Sequence, residues 1–248
     1  MKTQTRRKRR RKYRRWLPSL LTLLIIAALV FGSVRLLTGK GRSERTQYPQ
    51  ALLTLYERNP DARSFVEHYP EKKGKTFPID LHEYQECSTG PLLMQWDERW
   101  GYSTYAGELF GLSGCGPTCL SMVAIYLTGD TAMDPLWMGE FSTYGGYSYN
   151  GQGTMWSQMD EGAHELGLNA EVLPLDETRV IENLKAGNPI ICIMGPGDFT
   201  GSGHFIVLTG YENGEITVND PNSFRNSERS WSYAEIAGQV QNLWVYYR

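Results

Sequence analysis

Ser113-Gly114-Cys115-Gly116-Pro117-Thr118-Cys119-Leu120-Ser121-Met122-Val123 is the stretch on which the fold turns. Its small residues make a tight turn, and Pro117 suits the first turn of a helix, where a missing N–H is no loss. From Thr118 to Leu127 the chain is apolar on nearly every side. A helix with no polar face belongs in the middle of a core. Cys115 falls where that helix begins, facing unpaired N–H groups and the positive end of the helix dipole. That setting lowers a thiol pKa and favours the reactive thiolate. A small buried cysteine before a helix is the other reading, since free Cys is among the most buried residue types.

Outward from this helix, charge divides the chain. Residues 1–15 hold ten Lys/Arg and no acid, whereas residues 46–248 hold eleven Lys/Arg against twenty-six Asp/Glu, a net charge of about −15. An acidic body argues against nucleic acid as the partner. The basic head is followed by an apolar segment, 16–37, in which Leu17 to Val34 is eighteen residues without a charge. That length just spans a bilayer as a helix, with Trp16 at one interface and Arg35 snorkelling at the other. The positive-inside rule then leaves 1–15 as a cytoplasmic tail and puts the rest outside the cell membrane in a single pass. A cleaved secretory signal is the rival; Val30 and Gly32 make only a weak cleavage site. We adopt the retained signal anchor. Either way the body is exported.

Residues 38–90 read as a linker and a short helical segment. Pro49 opens one helix with Leu52, Leu53 and Tyr56 on one side, and Asn59-Pro60 separates it from a second with Phe65, Val66 and Tyr69. The main domain is set at 91–248. Thr154 is expected to cap a helix carrying Met155, Met159, Ala163 and Leu166, with His164 a partly exposed side chain on it. Asp176 caps another helix, closed by Gly187. Strands are expected at Pro189–Met194, His204–Tyr211, Glu215–Asn219 and Leu243–Tyr247, with a helix at Ser232–Val240 before the last. Helices first and hairpin-linked strands later predict an α+β fold with an antiparallel sheet.

The four cysteines, Cys87, Cys115, Cys119 and Cys192, match no zinc-ribbon spacing. Cys115, Cys119 and His204 form the one metal reading, and a Cys87–Cys192 disulfide has no support from spacing. No metal or cofactor is expected.

His204 starts an apolar strand. Glu212-Asn213-Gly214 reads as a three-residue hairpin loop with Gly214 left-handed. In that register residue 206 faces residue 220, so Asp220 lies diagonal to His204 on the same face, roughly 7–8 Å apart at the backbone. A two-residue loop would bring Asn219 to that face instead. A His held by an Asp is what a cysteine nucleophile needs: the imidazole takes the thiol proton, and the carboxylate fixes its tautomer. Taken alone, Asp220-Pro221-Asn222 also reads as a plain turn. Gln95 is a fourth candidate, an oxyanion donor beside the Cys115 N–H or a surface residue in a turn.

The order Gln, Cys at a helix start, His on a strand, then Asp or Asn resembles papain-like cysteine peptidases. Pro91–Trp96, Gly114-Cys115-Gly116-Pro117-Thr118, His204-Phe205-Ile206-Val207-Leu208 and Asn219-Asp220-Pro221 are closer still to the bacteriocin-processing-like, C-39-like branch. The resemblance covers 91–248. It implies a central N-terminal helix packed on an antiparallel sheet, with Cys115 as nucleophile, His204 as general base, Asp220 as orienting acid and Gln95 as oxyanion donor. Two departures stand out: twenty residues separate Gln95 from Cys115, longer than in papain-like enzymes generally, and no transporter segment or ATP-binding loop follows. The expectation is a membrane-tethered thiol hydrolase acting on peptide or isopeptide bonds of a peptide or protein substrate. An acyl- or peptidyl-transferase using the same thioester, and an inert wall-binding module, are the alternatives.

Overall fold

A computed structural model of the protein describes residues 47–87 and 89–247. The basic tail and the apolar segment 16–37 lie outside the described residues. Among the described residues no helix is long and apolar enough to cross a membrane.

The two helices expected before the main domain are present. Helix α1 spans Gln50–Arg58. Asn59 ends it and accepts the Asp61 N–H, opening a 3-10 turn at Pro60–Ala62 that leads into α2, Arg63–Lys72. Leu52, Phe65 and Val66 are buried with Tyr102, and Phe65 stacks on that ring with centroids 4.6 Å apart. The Phe65 ring fits only because two glycines face it: a Cβ at Gly101 or Gly111 would lie 2.7 or 2.6 Å from ring carbons. The segment is thus part of the same compact unit as all that follows.

A two-residue turn joins β1, Thr104–Tyr105, to β2, Glu108–Leu109. The short α3, Phe110–Ser113, then hands over to α4, Cys115–Thr128. Eleven of the fourteen α4 residues are buried, so this is the central helix that its apolar run predicted. Gly129, at φ 73°, closes it in the left-handed conformation. Helix α5, Pro135–Tyr144, is capped by the Asp134 carboxylate on the Trp137 N–H.

Thr154 does not cap a helix. It ends a small hairpin of β3, Ser148–Tyr149, with β4, Gly153–Thr154. A 3-10 turn, Trp156–Met159, comes next, and Asp160 caps the five-residue α6, Glu161–Glu165. The helical spacing of Met155, Met159 and Ala163 was carried by two short turns rather than one helix. His164 is exposed on α6.

The sheet has five strands in the order β5-β9-β6-β7-β8, every neighbouring pair antiparallel. Its edge strand β5, Asn169–Val172, is followed by α7, Glu177–Lys185, which Asp176 caps as expected. Strands β6, Ile190–Met194, β7, His204–Glu212, and β8, Glu215–Asn219, follow the predicted runs closely. Two short helices intervene, α8, Phe224–Glu228, and α9, Tyr233–Ala237, before β9, Val240–Tyr247. Helix α9 is therefore shorter than 232–240, and β9 takes the residues from Val240 onward. Strand β6 is buried throughout because both faces of the sheet are covered. Ile191 and Ile193 pack with the α4 side chains, and Ile190, Cys192 and Met194 pack with Val180, Trp231 and Ile236.

The β7–β8 hairpin differs from the expected loop. Glu212 pairs with Glu215, so the loop is the two residues Asn213 and Gly214, both with positive φ (54° and 90°). Asn-Gly fits the tightest hairpin turn, whose twist matches that of the strands. That loop alone would rotate Asp220 to the other face. A bulge between Leu208 and Gly210 shifts the register by one, so that Val207 pairs with Asn219 and Ile206 comes opposite Asp220. The expected juxtaposition is reached by a different route.

Candidate active site

Cys115 is the first residue of α4, preceded by Gly114, whose carbonyl receives both the N–H and the hydroxyl of Thr118, at 3.0 and 2.7 Å. The N–H groups of the first turn have no helical acceptor and point toward the thiol end. Gly116 lets β4 close over this end, because a Cβ there would meet the Thr154 hydroxyl at 2.3 Å.

His204 opens β7 and is buried. Its Nε2 lies 2.7 Å from Asp220 Oδ1, which leaves Nδ1 as the ring nitrogen available to the thiol, and Cys115 and His204 line the same two cavities. Asp220 is buried and fully engaged: Oδ1 also accepts the Asn222 N–H at 2.8 Å, and Oδ2 accepts Asn226 Nδ2 at 2.8 Å. Its own N–H donates to Ser227 Oγ at 2.9 Å. A carboxylate with donors on both oxygens is held in one orientation, and so is the imidazole it binds.

These contacts set the charge states. Burial acts to push the Cys115 thiol up, but the His204 imidazole beside it, by hydrogen bond and by charge, outweighs that and holds the thiol below its ordinary 9.0. The N–H groups of Phe205 and Gly116 add to the lowering. Burial likewise acts to lower His204, and the Asp220 charge and hydrogen bond overcome it, raising the imidazole from 6.5 to about 10. Both shifts favour the thiolate–imidazolium form of the pair over the neutral one. Cys119, one turn further along α4, lies in the core, and burial pushes its thiol well above the usual range. Burial raises the Cys192 thiol in the same way. All four cysteines are free, so no Cys87–Cys192 bridge is present. Cys115, Cys119 and His204 do not form a metal-ligand group: among the described residues no cluster of three His, Cys, Asp or Glu side chains does.

Gln95 is buried and tied to the same loop, its main-chain N–H donating to Pro221 O at 2.7 Å. Its Nε2 donates one hydrogen to Gly111 O at 3.0 Å, and its Oε1 has no partner. A carboxamide nitrogen has a second hydrogen to offer.

All four residues singled out in the sequence line one cleft. Two cavities meet at Cys115 and His204. One of about 560 Å³ is walled by Gln152, Thr154, Trp156 and Gln241. The other, about 670 Å³, is walled by Leu55, Arg58, Gln95, Asp220 and Arg225. A larger cavity of about 820 Å³ around Tyr126 and Gly187 contains none of the four. Two contributors escaped the sequence reading. Asn226 holds the second oxygen of Asp220, and its only signal was the Ser223 cap, which starts a helix four residues after the acid. Asn59 donates to Asn222 O at 2.5 Å and so braces the Asp220 loop from outside the main domain.

Residues 89–248 match the model of a family described as Peptidase_C39 like family. No curated protein matches the chain. Solved structures do. The peptidase domain of Streptococcus ComA, a bi-functional ABC transporter involved in a quorum sensing pathway, is 22% identical over 54% of this chain and 89% of its own, with a TM-score of 0.41. A Bacillus anthracis protein described as a C39-like peptidase is 17% identical over 65% of this chain and 96% of its own, TM-score 0.41. The peptidase domain of Streptococcus mutans ComA in complex with a small-molecule inhibitor is 21% identical over 40% of this chain and 80% of its own, TM-score 0.34.

Proposed function

Because the chain belongs to the Peptidase_C39 like family, we propose that it is a thiol peptidase in which Cys115, His204 and Asp220 act in series. The Cys115 thiolate attacks the scissile carbonyl carbon, and the carbonyl electrons move onto oxygen. The second Gln95 amide hydrogen and the Cys115 N–H stabilise that oxyanion. When it collapses, the C–N bond breaks, His204 gives its proton to the departing amine, and a thioester remains on Cys115. Water, deprotonated by His204, then releases the acid and restores the thiol. Asp220 holds the imidazole in the tautomer this requires and steadies its charged form.

The observation that carries this reading is that Cys115, His204 and Asp220 line one cleft, with His204 Nε2 and Asp220 Oδ1 2.7 Å apart. A peptide-library screen on the full chain tests it. The wild type is expected to cleave members of the library and Cys115→Ala none. Cleavage that survives in Cys115→Ala removes the assignment.

We further propose that residues 16–37 tether the enzyme with 1–15 in the cytoplasm and the peptidase outside the cell membrane. The eighteen uncharged residues from Leu17 to Val34 and the ten basic residues before them support this topology. Protease added to intact cells should digest the peptidase domain; full protection would refute the orientation.

A further inference from the structure

The cleft half beneath Asp220 is built partly by residues that precede the family domain. Leu55, Arg58 and Asn59 line it together with Gln95, Cys115 and His204. This wall is fastened in place. Besides the bond from Asn59 to Asn222, the Asp61 carboxylate accepts the Phe224 N–H at 3.0 Å. Both bonds land within four residues of Asp220.

Two guanidinium groups line that cavity: Arg58, the last residue of α1, and Arg225, in α8. Both are exposed. Neither has an ion-pair, hydrogen-bond or aromatic partner among the described residues. Arg99 and Arg229 are paired, to Asp97 and Glu235, and Arg63 bonds the Tyr56 carbonyl and covers its ring. The lining holds two acids, and both are engaged: Asp220 by His204, Asn222 and Asn226, and Asp61 by the Phe224 N–H. The cavity therefore offers two uncommitted planar donor forks in a body whose net charge is about −15. Guanidinium forks match a carboxylate with two parallel N–H···O bonds. On an otherwise anionic surface, such a spot fixes where an acidic peptide can approach and in which register.

We propose that this half of the cleft takes a carboxylate of the peptide substrate between Arg58 and Arg225, which makes the segment preceding the family domain part of the specificity site. The proposal rests on Cys115 being the nucleophile. The carboxylate has two sources, an Asp or Glu side chain and the C-terminus of the substrate.

The test uses the full chain in detergent and first compares two alkylating reagents that differ in charge. Iodoacetate and iodoacetamide are reacted with the wild type and with Arg58→Gln/Arg225→Gln, and modification of Cys115 is followed by peptide mapping. The ratio of the two rates cancels any change in the thiol itself. Removing both cations is expected to lower the iodoacetate-to-iodoacetamide ratio about tenfold. An unchanged ratio overturns the proposal. A Cys115 that reacts with neither reagent overturns the nucleophile reading instead, and the proposal with it. The peptide arm follows. Substrates with Glu or Gln scanned through each position, and with free or amidated C-termini, should show a preference for the acid in one of the two sets that disappears in the double variant. A preference confined to the Glu set identifies a side chain, and one confined to free C-termini identifies the chain end. Equal cleavage of acid and neutral peptides in both sets overturns the proposal.

Discussion

Asp220→Asn changes one atom and removes the charge on which the site depends. The carboxamide has one acceptor end. If its oxygen keeps the His204 Nε2–H and Asn222 N–H bonds, its nitrogen must face Asn226 Nδ2, now 2.8 Å from Oδ2. A flip of the Asn226 amide turns that clash into a bond, so both side-chain atoms at position 220 keep partners and the fold should survive. The electrostatics do not survive. His204 is raised to about 10 by the Asp220 charge and hydrogen bond against burial. Without the charge, burial dominates and the imidazole falls. Cys115 then loses the cation that holds it below 9.0, and its own burial takes over. A hydrogen bond to a charged group is worth roughly 1.5–3 kcal/mol, which is about one to two pH units or tenfold to a hundredfold in ion-pair population. The assay is the rate of Cys115 alkylation by iodoacetamide against pH. In the wild type the rate should rise through the lowered thiol pKa, and catalysis should persist until His204 deprotonates near 10. In the variant the acid limb should move up by about one to two units and the neutral-pH rate fall about tenfold to a hundredfold. Superimposable profiles would refute the ion-pair reasoning.

Other outcomes follow from the same geometry. Gln95→Ala should lower kcat by roughly a hundredfold to a thousandfold, while alkylation of Cys115, which forms no oxyanion, falls by much less. Asn226→Ala leaves Asp220 Oδ2 without its buried donor, and should cost about 1–3 kcal/mol in chemical denaturation as well as activity. Leu120→Ala, in the middle of α4 with no exposed surface, should cost about 2–5 kcal/mol, read as a lower denaturation midpoint with an unchanged slope.

How much of this was legible in the sequence varied with the kind of signal. The helix from Cys115 was clear because its residues are apolar on all sides, a pattern that only burial on all sides explains. Strands β6 and β8 were clear from short β-branched runs between turn residues. Strand β5 was missed: Asn169-Ala170-Glu171-Val172 is an edge strand with one buried side chain, and its pairing with β9 supplies what its composition lacks. The meeting of His204 with Asp220 was expected from a three-residue loop, yet Asn213-Gly214 makes a two-residue turn and a bulge near Thr209 restores the register. Gly210, a glycine within the strand beside the shift, is the one local sign of that bulge. Cys115, His204, Asp220 and Gln95 were each visible as residue types in order. Asn226 and Asn59 were not, because a brace is defined by what it touches, and the Asn59 contact joins residues 163 apart in sequence.

A thiolate absorbs in the ultraviolet where a thiol does not, so the difference titration between wild type and Cys115→Ala reads the protonation of this one sulfur. The thiolate–imidazolium pair predicts a midpoint below the ordinary thiol value of 9.0. A midpoint at or above that value would mean that burial governs the sulfur and that His204 does not activate it.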